Sequence, residues 1–182
     1  ILYNGQMVVF GGYSGSSYKN DVWTLDLTTD AWAEITTAGT APTAREAHSS
    51  ILYNGKMVIF GGGGGGSKND TWTLDLTTLA WTEITTTGTK PSARFDHASI
   101  LYNGQMVVFG GEDGSYKNDV WTLNLTTDAW NLVTTTGTKP SGRRAPSSIL
   151  YNGQMVVFGG YDGNGYKNDV WTLNLTTDAW NL

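Results

Sequence analysis

The chain has 182 residues, no cysteine, and a net charge of −5 with 15% charged residues. That length suffices for one domain with its own core, and the missing cysteines exclude disulfides, thiolate nucleophiles and cysteine metal sites while leaving the redox compartment open. A sparse acidic charge set without a basic stripe argues against nucleic acid as a partner, and no apolar run is long enough for a membrane helix.

The first residues, Ile1 to Tyr3, read as the end of a strand. Asn4-Gly5 is a two-residue hairpin signal, because both central residues of a type I′ turn need positive φ. The run from Gln6 to Gly12 is continuously apolar, as in a strand buried on both faces. After a loop, Asp21 to Leu27 alternates, with Trp23, Leu25 and Leu27 on one face. Leu27 to Asp30 is a turn, and Ala31 to Thr37 is a polar, Thr-rich outer strand. No window has a 3.6-residue period. The same unit then returns: "ILYNG" begins at Ile1, Ile51, Ile100 and Ile149, offsets of 50, 49 and 49. All eight tryptophans fall on two repeat positions, Trp23/72/121/171 and Trp32/81/130/180. A period of about 49 residues with four strands is the signature of a propeller blade.

The unit resembles the kelch repeat: an apolar run (Met7 to Phe10), Gly11-Gly12, then Trp23 and Trp32, with the lead-in Arg45, His48, Ser49. The resemblance covers essentially the whole chain and implies an all-β fold, a kelch-type β-propeller of four-stranded antiparallel blades, four per chain. The expected blades are residues 1–37, 46–87, 95–136 and 144–182 of a single domain, 1–182. The third junction departs from the pattern, with Pro146 in place of His. The family usually closes with more than four blades. The arc is therefore expected to be completed by a second copy, as a homodimer with an eight-bladed ring, or by further blades of a longer chain. A tight ring of four is the third option. The first residue is not Met, which points to processing or to a fragment.

Two segments differ between copies: the loop after Gly-Gly and the junction between units. In an up-and-down blade both emerge on one rim, so the variation marks a binding surface. The rim candidates are Tyr13, Ser14 and Tyr18; Glu46; Phe95 and Asp96; Glu112, Asp113 and Tyr116; Arg144; and Tyr161, Asp162, Asn164 and Tyr166. Aromatics, carboxylates and one arginine suit recognition of a protein or a glycan, and the resemblance implies protein partners on this rim.

Catalytic readings are weaker. Gly61, Gly63 and Gly66 fit G-x-G-x-x-G, but a strand follows where a phosphate-binding helix must start. His48 and His97 share one repeat position and are read as links between blades rather than metal ligands or bases. Arg45, Arg94 and Arg143 are read as junction bridges, with an anion-binding ring as the alternative. Asp21, Asp70, Asp119 and Asp169 are read as turn formers. Asp113 and the Asp162-Gly163-Asn164 run are too short for a calcium loop. The Asn-x-Thr triplets at Asn69, Asn124 and Asn174 are read as chance matches. The cysteine-linked copper chemistry of one kelch-like oxidase is excluded, and the acidic-histidine iron motif of plant relatives has no match. The expectation is a non-enzymatic scaffold with no cofactor or metal. The alternatives are a sugar-active hydrolase or lyase at the channel mouth and a purely structural, self-assembling repeat.

Overall fold

The computed structural model describes residues Ile1–Leu182, all in strands, turns and loops. The first blade holds β1 (Leu2–Tyr3), β2 (Gln6–Tyr13), β3 (Tyr18–Asp26) and β4 (Trp32–Ile35). The second holds β5 (Ser49–Tyr53), β6 (Lys56–Phe60), β7 (Thr71–Asp75) and β8 (Trp81–Glu83). The third holds β9 (Ala98–Tyr102), β10 (Gln105–Phe109), β11 (Val120–Asn124) and β12 (Ala129–Val133). The fourth holds β13 (Ser147–Tyr151), β14 (Gln154–Phe158), β15 (Val170–Asn174) and β16 (Ala179–Asn181). Each set forms one antiparallel sheet in sequence order. The first strands β5, β9 and β13 lie side by side along the inside of the array.

The turns form as their residues dictate. Asn4, Asn54, Asn103 and Asn152 sit at φ 46–49°, each followed by a Gly near φ 75°, the backbone of a type I′ hairpin. In the turn between the third and fourth strands, the Asp26 and Asp75 side chains accept hydrogen bonds from the two following threonine amides. Asn124 and Asn174 do the same with their carboxamide oxygens. Those two asparagines are thus turn formers in their own right. The same turn ends in a left-handed residue, which is Asp30, Asp128 and Asp178 in three blades and Leu79 in the second. A leucine is strained there, whereas Asp and Asn tolerate it. Leu79→Asp is expected to raise stability by about 0.5–1 kcal/mol in urea denaturation.

Alternation puts two residue sets on opposite faces of every sheet. One face carries Ile100, Val107, Phe109 and Val120 in the third blade; the other carries Met155, Val157, Trp171, Leu173 and Trp180 in the fourth. These two faces pack against each other, and the equivalent residues fill the junctions between the second and third blades and between the first and second. A phenylalanine of one blade meets a tryptophan of the next in each junction: Phe10–Trp81, Phe60–Trp130 and Phe109–Trp180, with ring centroids 4.9, 4.8 and 5.1 Å apart.

Four blades make three such cores, and the outward faces of the first and fourth blades are open. The second strand therefore meets the expectation of two-sided burial only in the inner blades, β6 and β10. In β14 burial alternates, because one side has no neighbour. The four blades form an open arc and not a tight ring of four. The first blade also departs at its β2–β3 loop. There the strands run on past a bulge between Phe10 and Gly12 to pair Tyr13 with Tyr18.

Candidate functional site

The rim is built by the junctions, and the junctions are held by arginines. The Arg45 guanidinium forks onto Asp70 with two 2.7 Å bonds and donates to the Gly61 carbonyl at 3.0 Å. Arg94 does the same to Asp119 (2.7 and 2.9 Å) and Gly110, and Arg143 to Asp169 (2.6 and 3.0 Å) and Gly159. All three arginines are fully buried. The same carboxylates accept the indole N–H of Trp72, Trp121 and Trp171. Partial burial would raise the Asp70 and Asp119 carboxyls, but the arginine and indole bonds outweigh it and hold both low. The bond from Arg143 is the chief reason that Asp169 falls to about 2.

The arginines are junction bridges as read, whereas these three aspartates are their partners and not turn formers. The signal was available: Arg45/Asp70 and Arg94/Asp119 recur at a fixed spacing of 25. The guanidinia are fully spent, so they form no anion-binding ring.

The residue after each arginine reaches the second-turn loop of the same blade. Glu46 bridges to Gly63, Phe95 to Glu112, and Arg144 to Tyr161, all antiparallel. The next residues, Ala47, Asp96 and Ala145, are left-handed at φ 52–55°. They link blade to blade, Asp96 N–H donating to the Ala47 carbonyl (2.8 Å) and Ala145 N–H to the Asp96 carbonyl (2.7 Å). His97 then joins two blades through Nε2 and the Ser49 hydroxyl, 2.8 Å apart. Burial, reinforced by the Arg94 charge, pushes the His97 imidazole down to about 3; burial and Arg45 push His48 to about 4. Both are neutral at pH 7, but only His97 links blades by a hydrogen bond; His48 meets the first blade through the Phe10 ring, 5.3 Å between centroids.

The candidates form one main cluster at the junction of the third and fourth blades. Arg144 pairs with Glu112 at 3.0 Å and lies over the Tyr161 ring, 5.6 Å from its centroid. Tyr161 also packs against Tyr116 (5.7 Å) and Tyr166 (5.3 Å), and Tyr166 is 91% exposed. Asp96 is half-buried beside them. Burial and the nearby Glu112 and Glu46 raise its carboxyl more than Arg144 lowers it. A groove of about 530 Å³ runs between Asp96, Arg144, Phe158, Tyr161 and Tyr166. Wedges at the opposite rim, such as the one beside Tyr53 and Leu125, recur beside Tyr102 and Leu175 and beside Tyr3 and Leu76. Recurrence at every junction marks them as a product of fanned blades.

Other candidates stand apart. Tyr13 and Tyr18 stack on each other at 5.0 Å at the tip of the first blade's long hairpin, where Ser14 bonds its own loop. Asp113 is tied to Lys117 (2.9 Å) and Asp162 to Lys167 (2.7 Å) and Ser141, and both carboxyls sit at about 2. For Asp162 the Lys167 bond is the largest cause; for Asp113, partial burial is reversed by hydrogen bonds from Ser92, Lys117 and Ser115. They lock their loops. Asn164 is exposed at the loop tip, its amide bonded to Asp162. Phe95 is less exposed than expected, because it lies over Gly63, where a Cβ would meet its side chain at 3.8 Å. The glycine run is itself a packed rim loop: a Cβ on Gly64 would fall 2.4 Å from the Ala44 carbonyl.

The sequence model of a protein family described as "FBX42, beta-propeller domain" matches residues 1–180. Among curated proteins, "Rho GTPase-activating protein gacHH" of Dictyostelium discoideum is 36% identical over 53 residues. That match covers 29% of this chain and 4% of the relative's length.

Proposed function

The chain belongs to the FBX42 β-propeller family, and from that premise we propose that it is a non-enzymatic, kelch-type binding scaffold for a protein ligand, held by the rim of the third and fourth blades. The observation that carries this reading is the packing of Tyr116, Tyr161 and Tyr166 around Arg144, with Glu112 and Asp96 beside them. Every member of that set lies in a segment that differs between copies, whereas the clamps beneath it repeat. Rigid aromatics flanked by charges are the composition of interface centres.

The charge balance favours a basic segment. Asp96 has two further carboxylates, Glu112 and Glu46, near it and a single arginine, Arg144, and exposed tyrosine faces attract cations. Arg144 takes up Glu112, which leaves Asp96 and Glu46 for a lysine or arginine of the ligand. A glycan stacked on Tyr166 is the second ligand class that the aromatic patch suits.

Selection from a displayed random-peptide library tests the reading. Selected peptides are expected to be rich in Lys and Arg. They should bind Tyr161→Ala and Asp96→Asn at least about 10-fold more weakly, a loss of about 1.4 kcal/mol or more. They should bind Lys56→Ala, on the opposite rim, unchanged. Selected peptides without basic residues, or equal binding by all three variants, would remove the proposal.

A further inference from the structure

The most consequential unexplained surface is the pair of open faces at the ends of the arc. On the fourth blade Ile149, Phe158 and Val170 are 62, 50 and 50% exposed. Their counterparts in the third blade, Ile100, Phe109 and Val120, are 6, 0 and 1% exposed. On the first blade Trp32 is 53% exposed, while its counterparts Trp81, Trp130 and Trp180 are 5, 2 and 3% exposed. Met7, Val9, Trp23 and Leu25 share that face with Trp32. Apolar surface of this extent and continuity marks an interaction site.

The chain itself shows what fits each face. In all three internal junctions the face type left open on the fourth blade is covered by the face type left open on the first. Each of those junctions is centred on one phenylalanine–tryptophan pair. Phe158 and Trp32 are the two members without a mate. They lie on the two open faces of the arc, and each offers the face type that the other lacks.

We propose that two copies of this chain associate head to tail into a closed ring of eight blades. The open face of the fourth blade of each copy covers the open face of the first blade of the other. Phe158 of one copy then meets Trp32 of the second, with Ile149 and Val170 against Met7, Trp23 and Leu25. A contact between unlike faces closes into a ring only when the rotation per unit suits it. Two copies give eight blades, within the range of about 4–8 that propellers adopt, and three copies exceed it. The proposal does not rest on the rim reading, although Phe158 also lines one side of the rim groove and would be covered there; the oligomeric state tests it whatever the rim binds.

Light scattering coupled to size exclusion, on the 182-residue chain at about 10 µM, is expected to give twice the 19.7 kDa chain mass. Phe158→Glu and Trp32→Glu each place a charge in the contact and are expected to weaken dimerisation at least about 100-fold. Both side chains are half-exposed in the single chain, so both variants are expected to remain folded by circular dichroism. Mixed together, the two variants are expected to form a mixed dimer, because one unaltered contact remains between them. Four results would overturn the proposal. A monomer of the wild-type chain would assign the faces to further blades of a longer chain. A ladder of masses above the dimer would mean an open polymer. Loss of the dimer in only one variant, or no dimer on mixing, would mean that like faces meet.

Discussion

Replacing Asp119 by alanine is expected to cost about 3–5 kcal/mol of folding stability, more than replacing its partner Arg94 by methionine. The two ends of the clamp are not equally wet. The Arg94 side chain is 1% exposed and that of Asp119 is 28% exposed. Removing the aspartate strands a permanent charge in the interior, where only the Gly110 and Ser92 oxygens remain to receive it. It also deprives the Trp121 indole of its acceptor. Removing the arginine leaves a carboxylate that water already reaches, so Arg94→Met is expected to cost about 1–3 kcal/mol. Domains of this size have about 5–15 kcal/mol in reserve. Urea denaturation followed by circular dichroism measures both, and a larger loss in Arg94→Met than in Asp119→Ala would refute the desolvation argument.

Acid is expected to destabilise the chain in two overlapping windows, the first set by histidine. His97 is held at about 3 and His48 at about 4, both below the ordinary 6.5. Between those values the unfolded chain binds protons that the folded chain does not. Stability is therefore complete above pH 6.5 and is lost as pH falls toward 4. His97 alone accounts for about 3 kcal/mol across that interval, at about 1.36 kcal/mol per pH unit. Asp169 and Asp162, at about 2, contribute stability that is present above the ordinary carboxylate value and lost in a second window, from about pH 4 to 2.

The chain supplies its own control for the histidine window. Where Ser49 faces His97 in one junction, Ala98 and Pro146 occupy the same places in the next. Ala145, before Pro146, has the same left-handed backbone as Asp96 before His97. The double variant Ser49→Ala/His97→Pro copies a pair that the fold already accepts. It is expected to fold and to lose about half of the stability slope between pH 6.5 and 4.5, leaving the share of His48. An unchanged slope would show that neither the burial nor the Ser49 bond keeps His97 neutral.

Most of the fold was legible because the sequence repeats. A single copy of "LYNGQMVVFGG" is ambiguous beyond a hairpin. Four copies at constant spacing fix the strand order, the alternation and the shared rim of the variable loops. The site was legible only in part. Tyr116, Arg144, Tyr161 and Tyr166 come together as the loop positions suggested. Asp113 and Asp162 carry the same chemistry in the sequence, yet each is taken by a lysine four or five residues on. Tyr13 and Tyr18 occupy a rim position too, but the first blade's loop has no junction bridge like that of Glu46 to Gly63, and it extends as a separate hairpin.

The sequence by itself determined the β-propeller architecture, the Asn-Gly hairpins and the two apolar faces of every blade, because these depend on local propensity and a period of two. The tertiary structure decided which of those faces are covered, that the repeated aspartates clamp the repeated arginines, and that His97 is buried and His48 partly so, both neutral. Such properties depend on which blade lies next to which and on how much water is left between them, and no single repeat contains that information.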